Sequence, residues 1–495
     1  MKSTKAHGIG LFLLMGSLLA VICVVAGHTS TSVSSPPNIV LLIADQHTAD
    51  ALGCAGYSFV KTPALDSLAS TGVRFRNTYC TYPVCMSSRA SLMTGRWPHE
   101  LKELKKNGAD EESELGLGGK KKRNNQGKPA NPPGISLGAL MKEAGYETAY
   151  FGKWHVGGVN SSVDNLWHGF DIIEDGRHDT ATADNAVRFM KAKHERPYFV
   201  VVSFLNPHDI CEWARMRSGI QNTMKNGEVS LEPPLAKCPP LPANFEIPAD
   251  EPEIVGLRRN SAPEGAHPTL NWGPTEWRQY RWAYARLIEK VDEQIGRVLA
   301  VLKETGQQER TLVAYTSDHG DGNAAHHWNQ KMVLYEEAVR IPLILSWPGH
   351  TLRGKVDTTH LVSMGLDILP TLVDYAGIKA PVELTGYSLR PWADLGHGEA
   401  TKEGREYVVT EVEYSDLFPG EKKVQNLLLR SPKFTYLCYG SGKNPEQLFD
   451  LQVDPGQTVN LVAHPKYQAT LTQHRQWMRE WIKETKSPFP LDKIP

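Results

Sequence analysis

Net charge, cysteine and repetition are all scarce in this chain. The 54 lysines and arginines stand against 55 aspartates and glutamates, for a formal charge of −1. No global field is left to attract nucleic acid or a membrane surface. The 7 cysteines show no metal-knuckle spacing, which excludes the small zinc-module classes. Cys23 falls in a leader-like segment and Cys85 in a motif taken up below. Cys54, Cys80, Cys211, Cys238 and Cys438 remain, an odd number, so at least one is free or paired outside the chain. Cys211 with Cys238 is a candidate loop staple, although sequence does not decide connectivity. There is no internal repeat, so solenoids and propellers are excluded. Disorder is not expected, because 40% of the residues are hydrophobic, an ordinary globular share. A length of 495 residues suits one large domain plus a smaller one.

One apolar run approaches membrane-spanning length. It extends from Ile9 to Val25, after Lys2 and Lys5 and before Ala26 and Gly27. Basic, apolar and small residues in that order predict a signal peptide over 1–27, and hence a secreted or periplasmic protein after cleavage. An uncleaved anchor is the competing reading. Residues 28–37 are rich in Ser, Thr and Pro and read as a linker.

Beyond the linker, continuous apolar runs of strand length recur, each followed by polar residues. Asn38–Ala44 precedes Asp45-Gln46-His47. Tyr198–Leu205 precedes Asn206-Pro207-His208-Asp209. Thr311–Ser317 precedes Asp318-His319-Gly320-Asp321, and Ile341–Trp347 forms a fourth run. Such runs fit strands covered on both faces. Helical patterns lie between them, at Pro63–Ala69, Ser136–Gly145 and about 275–304. The expected fold is therefore α/β, a large mainly parallel sheet flanked by helices, with sites at the C-terminal strand ends. Short strands near 408–412, 426–430, 434–437 and 447–451, then a helix near 466–486, predict a smaller C-terminal α+β subdomain with an antiparallel sheet. The expected division is 38–380 for the large domain and 381–495 for the small one. Residues 101–134 read as a charged loop in which Lys120–Arg123 is a solvated run, and 211–270 as a proline-rich loop layer over the site. Asn160-Ser161-Ser162 is a glycosylation sequon.

The most informative stretch is Cys85-Met86-Ser87-Ser88-Arg89-Ala90-Ser91-Leu92-Met93-Thr94-Gly95-Arg96. It reads as the first turns of a helix, with Ser87 and Ser88 near the cap. A nucleophile there sits where negative charge is favoured, and Arg89 lies one turn on. This stretch resembles the signature of the type I sulfatases, formylglycine-dependent enzymes of the alkaline phosphatase superfamily. It departs from that signature at Ser87, where the family has proline or alanine. Gly152-Lys153-Trp154-His155, Pro207-His208 and Lys331 with Tyr335-Glu336-Glu337 continue the resemblance. So does Leu448-Phe449-Asp450-Leu451 with Asp454-Pro455 in the small domain.

The resemblance implies that Cys85 is oxidised to formylglycine (3-oxoalanine) by a formylglycine-generating enzyme. It implies a calcium ion held by Asp45, Gln46, the modified Cys85, Asp318 and His319. The Gln46 and His319 variants resemble choline sulfatases and phosphonate monoester hydrolases, and an imidazole ligand also admits manganese or zinc. Arg89, Lys153 and Lys331 would offset charge on the sulfate. His208 would protonate the leaving oxygen, His155 would assist release, and His326 would contact substrate with Lys153, His208 and Lys331. The implied activity is hydrolysis of a sulfate ester, on a carbohydrate or small alcohol. A phosphodiester or phosphonate monoester hydrolase and a non-catalytic sulfoglycan-binding protein are the competing readings.

Overall fold

A computed structural model describes residues 36–101, 136–156, 168–261, 268–379, 381, 384–395 and 404–495. The leader, most of the linker, the charged insert with its basic run, and the sequon lie outside the described residues. Residues 36–495 form one compact unit. Among the described residues no helix is long and apolar enough to cross a membrane.

The large sheet has eight strands: β1 (Asn38–Asp45), β2 (Val73–Tyr79), β3 (Glu147–Gly152), β4 (Ile172–Asp175), β5 (Tyr198–Pro207), β6 (Thr311–Ser317), β7 (Leu343–Ser346) and β8 (Lys355–Ser363). Their order is β4-β3-β5-β1-β6-β7-β2-β8. Every pairing is parallel except those of β7 with β6 and with β2. Alternate residues of β1 enter opposite cores. Ile39, Leu41 and Ile43 join one cluster, and Val40, Leu42 and Ala44 the other. This two-sided burial is why the central strands read as unbroken apolar runs.

Helices α1 (Pro63–Ser70), α2 (Cys85–Thr94), α3 (Leu137–Glu143), α4 (Asp179–Lys191), α5 (Ile210–Arg217), α6 (Glu253–Asn260), α7 (Pro274–Glu304) and α8 (Met364–Tyr375) surround the sheet. Helix α7 lays Val291, Ile295 and Val298 on one face of it. Helix α8 packs against α2 so closely that a Cβ at Gly365 would sit 2.6 Å from Thr81 Oγ1 and 2.7 Å from Ser91 Cβ. The expected 211–270 loop layer contains α6 and most of α5. Each is only eight residues long, and the proline-rich stretch between them hid both.

A second sheet is antiparallel, in the order β12-β11-β10-β9, from β9 (Val408–Phe418), β10 (Glu421–Arg430), β11 (Phe434–Tyr439) and β12 (Glu446–Asp450). Helix α9 (Gln468–Thr485) covers it with Leu471, Met478 and Trp481. Strand β9 also laces onto the segment that leads to α2. Thr410 Oγ1 donates to the Cys80 carbonyl at 2.6 Å, and the Glu411 N–H donates to that of Thr81 at 2.9 Å. The described cysteines are all unpaired, so Cys211 and Cys238 form no staple. Cys238 faces the Pro234 carbonyl at 3.5 Å instead, while Cys211 faces Gln46.

Candidate active site

Strands β3, β5, β1 and β6 are neighbours, and their C-terminal ends lie nearly level. Asp45 is paired with Pro207, and Ala44 with Ser317. One edge of the sheet therefore carries Lys153 and His155 after β3, His208 after β5, Asp45 and Gln46 at the end of β1, and Asp318 and His319 after β6. Antiparallel steps on both sides of β7 return β2 to the same direction, so Cys85 arrives at this edge too.

Helix α2 begins at Cys85 with Val84 as its N-cap. Ser87 and Ser88 lie in its first turn, near the cap but not at it. Ser88 Oγ instead donates to the Asp318 carbonyl at 2.5 Å, because all ten helix residues are buried and a polar group there must find an internal partner.

The Cys85 thiol lies 3.4 Å from Asp45 Oδ1 and 3.2 Å from His319 Nε2, and it accepts from Lys331 Nζ at 2.9 Å. Asp45, Cys85, Asp318 and His319 each offer an atom within 4.8 Å of the others. The His319 Nδ1 faces the Gly320 carbonyl at 2.8 Å. A carbonyl only accepts, so Nδ1 holds a proton and Nε2 is aimed into the cluster. Burial lowers the His319 pKa, but Asp318 and Cys85 outweigh burial and raise it. A cation ligated by Nε2 would replace the proton there.

Two buried carboxylates at this distance need positive charge between them. Arg89 Nε donates to Asp318 Oδ2 at 2.7 Å, and Nη2 lies 3.4 Å from Asp45 Oδ2. Its Nη1 donates to the Lys153 carbonyl at 2.8 Å and to Ser203 Oγ at 2.7 Å. Lys153 Nζ pairs with Asp45 Oδ2 at 2.5 Å. Burial would raise the Asp45 pKa, but Lys153, His208, Arg89 and Lys331 together hold it well below the usual carboxylate range. Three cationic side chains, Arg89, Lys153 and Lys331, thus meet two carboxylates, all at most 2% exposed. A site with this surplus accepts an anion, and its donors are fixed before the ligand arrives. His155 and His208 are its half-buried members.

The donor set fits a divalent cation: two carboxylates, one oriented imidazole and the position-85 side chain. Gln46 touches the cluster through its backbone N–H, which donates to Asp318 Oδ1 at 3.1 Å. Its side-chain amide donates to Asp321 Oδ2 at 2.7 Å. Asp321 was not singled out from sequence, though it closes the Asp318–Asp321 run. It also accepts from Tyr280 Oη at 2.8 Å, and burial pushes its pKa up to about 6.

His326, expected to touch substrate, is placed elsewhere. It is fully buried, its ring 4.3 Å from that of Tyr335, with Nε2 facing the Gly456 carbonyl at 3.0 Å. Its backbone is left-handed, at φ 51°, as are those of Asn323, Ala324, His327, Gln330 and Met332. This strained segment carries Lys331 into the site and turns His326 the other way.

Comparison with known proteins agrees with this geometry. Residues 37–378 match the family described as Sulfatase, and residues 324–484 match N-sulphoglucosamine sulphohydrolase, C-terminal. A Delta 4,5-hexuronate-2-O-sulfatase of Bacteroides thetaiotaomicron is 31% identical over 92% of this chain and 90% of its own. The solved structure of a 2-O GAG sulfatase superposes with a TM-score of 0.73 at 28% identity, covering 92% of this chain and 93% of that one. The phosphonate monoester hydrolase of Silicibacter pomeroyi shares the fold, with a TM-score of 0.71 at 23% identity over 91% and 96% of the two chains. The match to the family runs through both ends of the sheet edge that carries the cluster, and the chain therefore belongs to the sulfatases and is a sulfuric ester hydrolase.

Proposed function

We propose that this sulfatase removes sulfate from a glycan, using an oxidised Cys85 and a divalent cation held by Asp45, Asp318 and His319 with Gln46 beside them. The convergence of that donor set with Arg89, Lys153 and Lys331 around one buried side chain supports the reading. When bound, the cation would lower the pKa of the attacking oxygen and polarise the ester; calcium is the first candidate, and His319 admits manganese or zinc. Formylglycine at position 85 would supply that oxygen as an aldehyde hydrate, with a second hydroxyl that a thiol lacks.

The remaining work falls to side chains already in place. Arg89 holds both carboxylates in register with α2. Lys153 and Lys331 offset charge on the sulfate oxygens. His208 delivers a proton to the leaving oxygen, and His155, at the half-buried mouth, accepts one as sulfate departs. The name of the relative at 31% identity makes a 2-O-sulfated unsaturated hexuronate the first substrate to test. Maturation would need a formylglycine-generating enzyme, and residues 1–27 would direct the chain out of the cytoplasm. Residues 38–380 would form the catalytic domain and 381–495 the subdomain that braces it.

Two measurements test this. The peptide containing Cys85, from cells with the generating enzyme, should have the mass of the aldehyde. That protein should hydrolyse the sulfated uronide, and Cys85→Ser should not. Full turnover by Cys85→Ser would refute the mechanism. Faster hydrolysis of an aryl phosphonate than of any sulfate would favour the phosphonate monoester reading, which the shared fold supports.

A further inference from the structure

Helix α5 carries a charged row leading away from the cluster. His208 lies just before the helix, Glu212 four residues on and Arg215 three further, spacings that place them on one face. Arg215 Nη1 donates to Glu212 Oε1 at 3.3 Å, which ties down one carboxylate oxygen. The other, Oε2, is shut off from solvent without a hydrogen-bond partner, and it lies 3.8 Å from His208 Nδ1. On the far side of the ring, Nε2 is 3.4 Å from Lys331 Nζ, the group that donates to Cys85. A buried carboxylate oxygen is costly until a donor meets it. A small rotation of the imidazole brings Nδ1–H to Oε2.

We propose that Glu212 is a positioning residue that orients His208 and keeps a proton on Nδ1, so that Nε2–H faces the leaving oxygen of the ester. This rests on the sulfatase reading. As the attacking oxygen on residue 85 bonds to sulfur, the S–O bond to the leaving group breaks and its electron pair passes to the leaving oxygen, which takes the proton from Nε2. The neutral imidazole retains Nδ1–H toward Glu212 and regains a proton from water.

Charge explains why the carboxylate is needed. Among the described residues, the charged groups facing His208 include Lys331 and Asp45 across the site and Glu212, backed by Arg215, on the helix that follows it. An imidazolium beside Lys331 is disfavoured unless an anion stands behind it. Burial, with a smaller push from Asp209 against the pull of Arg215, raises the Glu212 pKa and makes it a firmer acceptor. His208, Cys211 and Glu212 also offer atoms within 4.8 Å of one another, a spacing that suits a soft cation. Lys331 and Arg215 flank that position and would repel one, so a proton is the better occupant.

The test compares a substrate whose leaving group needs a proton with one whose leaving group does not. Glu212→Gln should lower kcat on a sugar sulfate at least about tenfold more than on 4-nitrophenyl sulfate, a fraction of what a general acid supplies. The basic limb of the sugar-sulfate pH profile should move to lower pH. The extra loss should vanish in a His208→Ala background, and Glu212→Asp should recover part of it. Equal losses on both substrates would mean a structural role. A rise in KM on the sugar sulfate alone would mean a substrate contact, and zinc bound stoichiometrically through Cys211 would mean a metal site. Each overturns the proposal. Independently of any variant, nitrogen NMR of the wild-type protein should show His208 protonated at Nδ1, and an unprotonated Nδ1 would also overturn it. Failure of the wild-type enzyme on both sulfates would instead tell against the sulfatase reading, which the NMR measurement does not require.

Discussion

Replacing Arg89 by methionine removes a fully buried charge while keeping much of its volume. In the native site the guanidinium reaches Asp318 at 2.7 Å and Asp45 at 3.4 Å. Asp45 keeps Lys153 when Arg89 is lost, but Asp318 keeps the N–H groups of Gln46 and His319 and, more distantly, the His319 ring at 3.8 Å. Removing one partner of a buried pair leaves an uncompensated charge and costs about 3–5 kcal/mol. The Lys153 carbonyl and Ser203 hydroxyl each lose a donor, adding about 1 kcal/mol apiece. Urea unfolding with divalent cations chelated should therefore show Arg89→Met less stable by roughly 5–7 kcal/mol. Adding Asp318→Asn should restore a large part of that loss, because the orphaned charge is then gone. A saturating divalent cation should also shrink the deficit, since it offsets the same carboxylate. A loss below about 1 kcal/mol under chelation, or a double variant as unstable as the sum of its parts, would refute the reasoning.

Other positions give sharper local tests. Gly152 has φ +91°, and a Cβ there would lie 2.0 Å from the Ser203 carbonyl oxygen, the acceptor of the Lys153 N–H at 2.8 Å. Gly152→Ala should displace Lys153 and lower kcat about 100-fold, and near-normal kcat would count against the placement of Lys153. Asp321→Ala releases the Gln46 amide; cation affinity by calorimetry should fall about 10- to 100-fold, and an unchanged affinity would exclude Gln46 from the site. Burial lowers the His99 pKa, but its bond to Glu411 at 2.8 Å outweighs burial and raises it. The raised folded-state pKa means that this stabilisation is fully present below the unfolded value of about 6.5 and is lost as pH rises through the folded value. The melting-temperature gap between wild type and His99→Gln should therefore narrow with rising pH, and a flat gap would refute it.

Much of this was legible in the chain itself. β1, β5 and β6 announce themselves because strands buried on both faces leave no room for polar alternation, and the residues just after them gather at one sheet edge. The Cys85–Arg96 stretch and the lysines at 153 and 331 were likewise readable as pattern. Strand β8, a largely polar stretch at the sheet edge without regular alternation, and α8, which carries Pro370 inside it, are not legible in the sequence. Their residues follow local rules less clearly than tertiary packing requires. The directions of single side chains were decided only by the folded structure. Gln46 turns its amide to Asp321, His326 turns toward Gly456, Cys211 meets Gln46 rather than Cys238, and Glu212 sets one oxygen behind His208. Strand β9 braces Cys80 and Thr81 from more than three hundred residues away. Local pattern determines which residues reach the sheet edge, because burial and periodicity act over a few positions. Contacts between distant segments determine where each side chain points, because a buried polar atom settles on whichever partner the fold brings within reach.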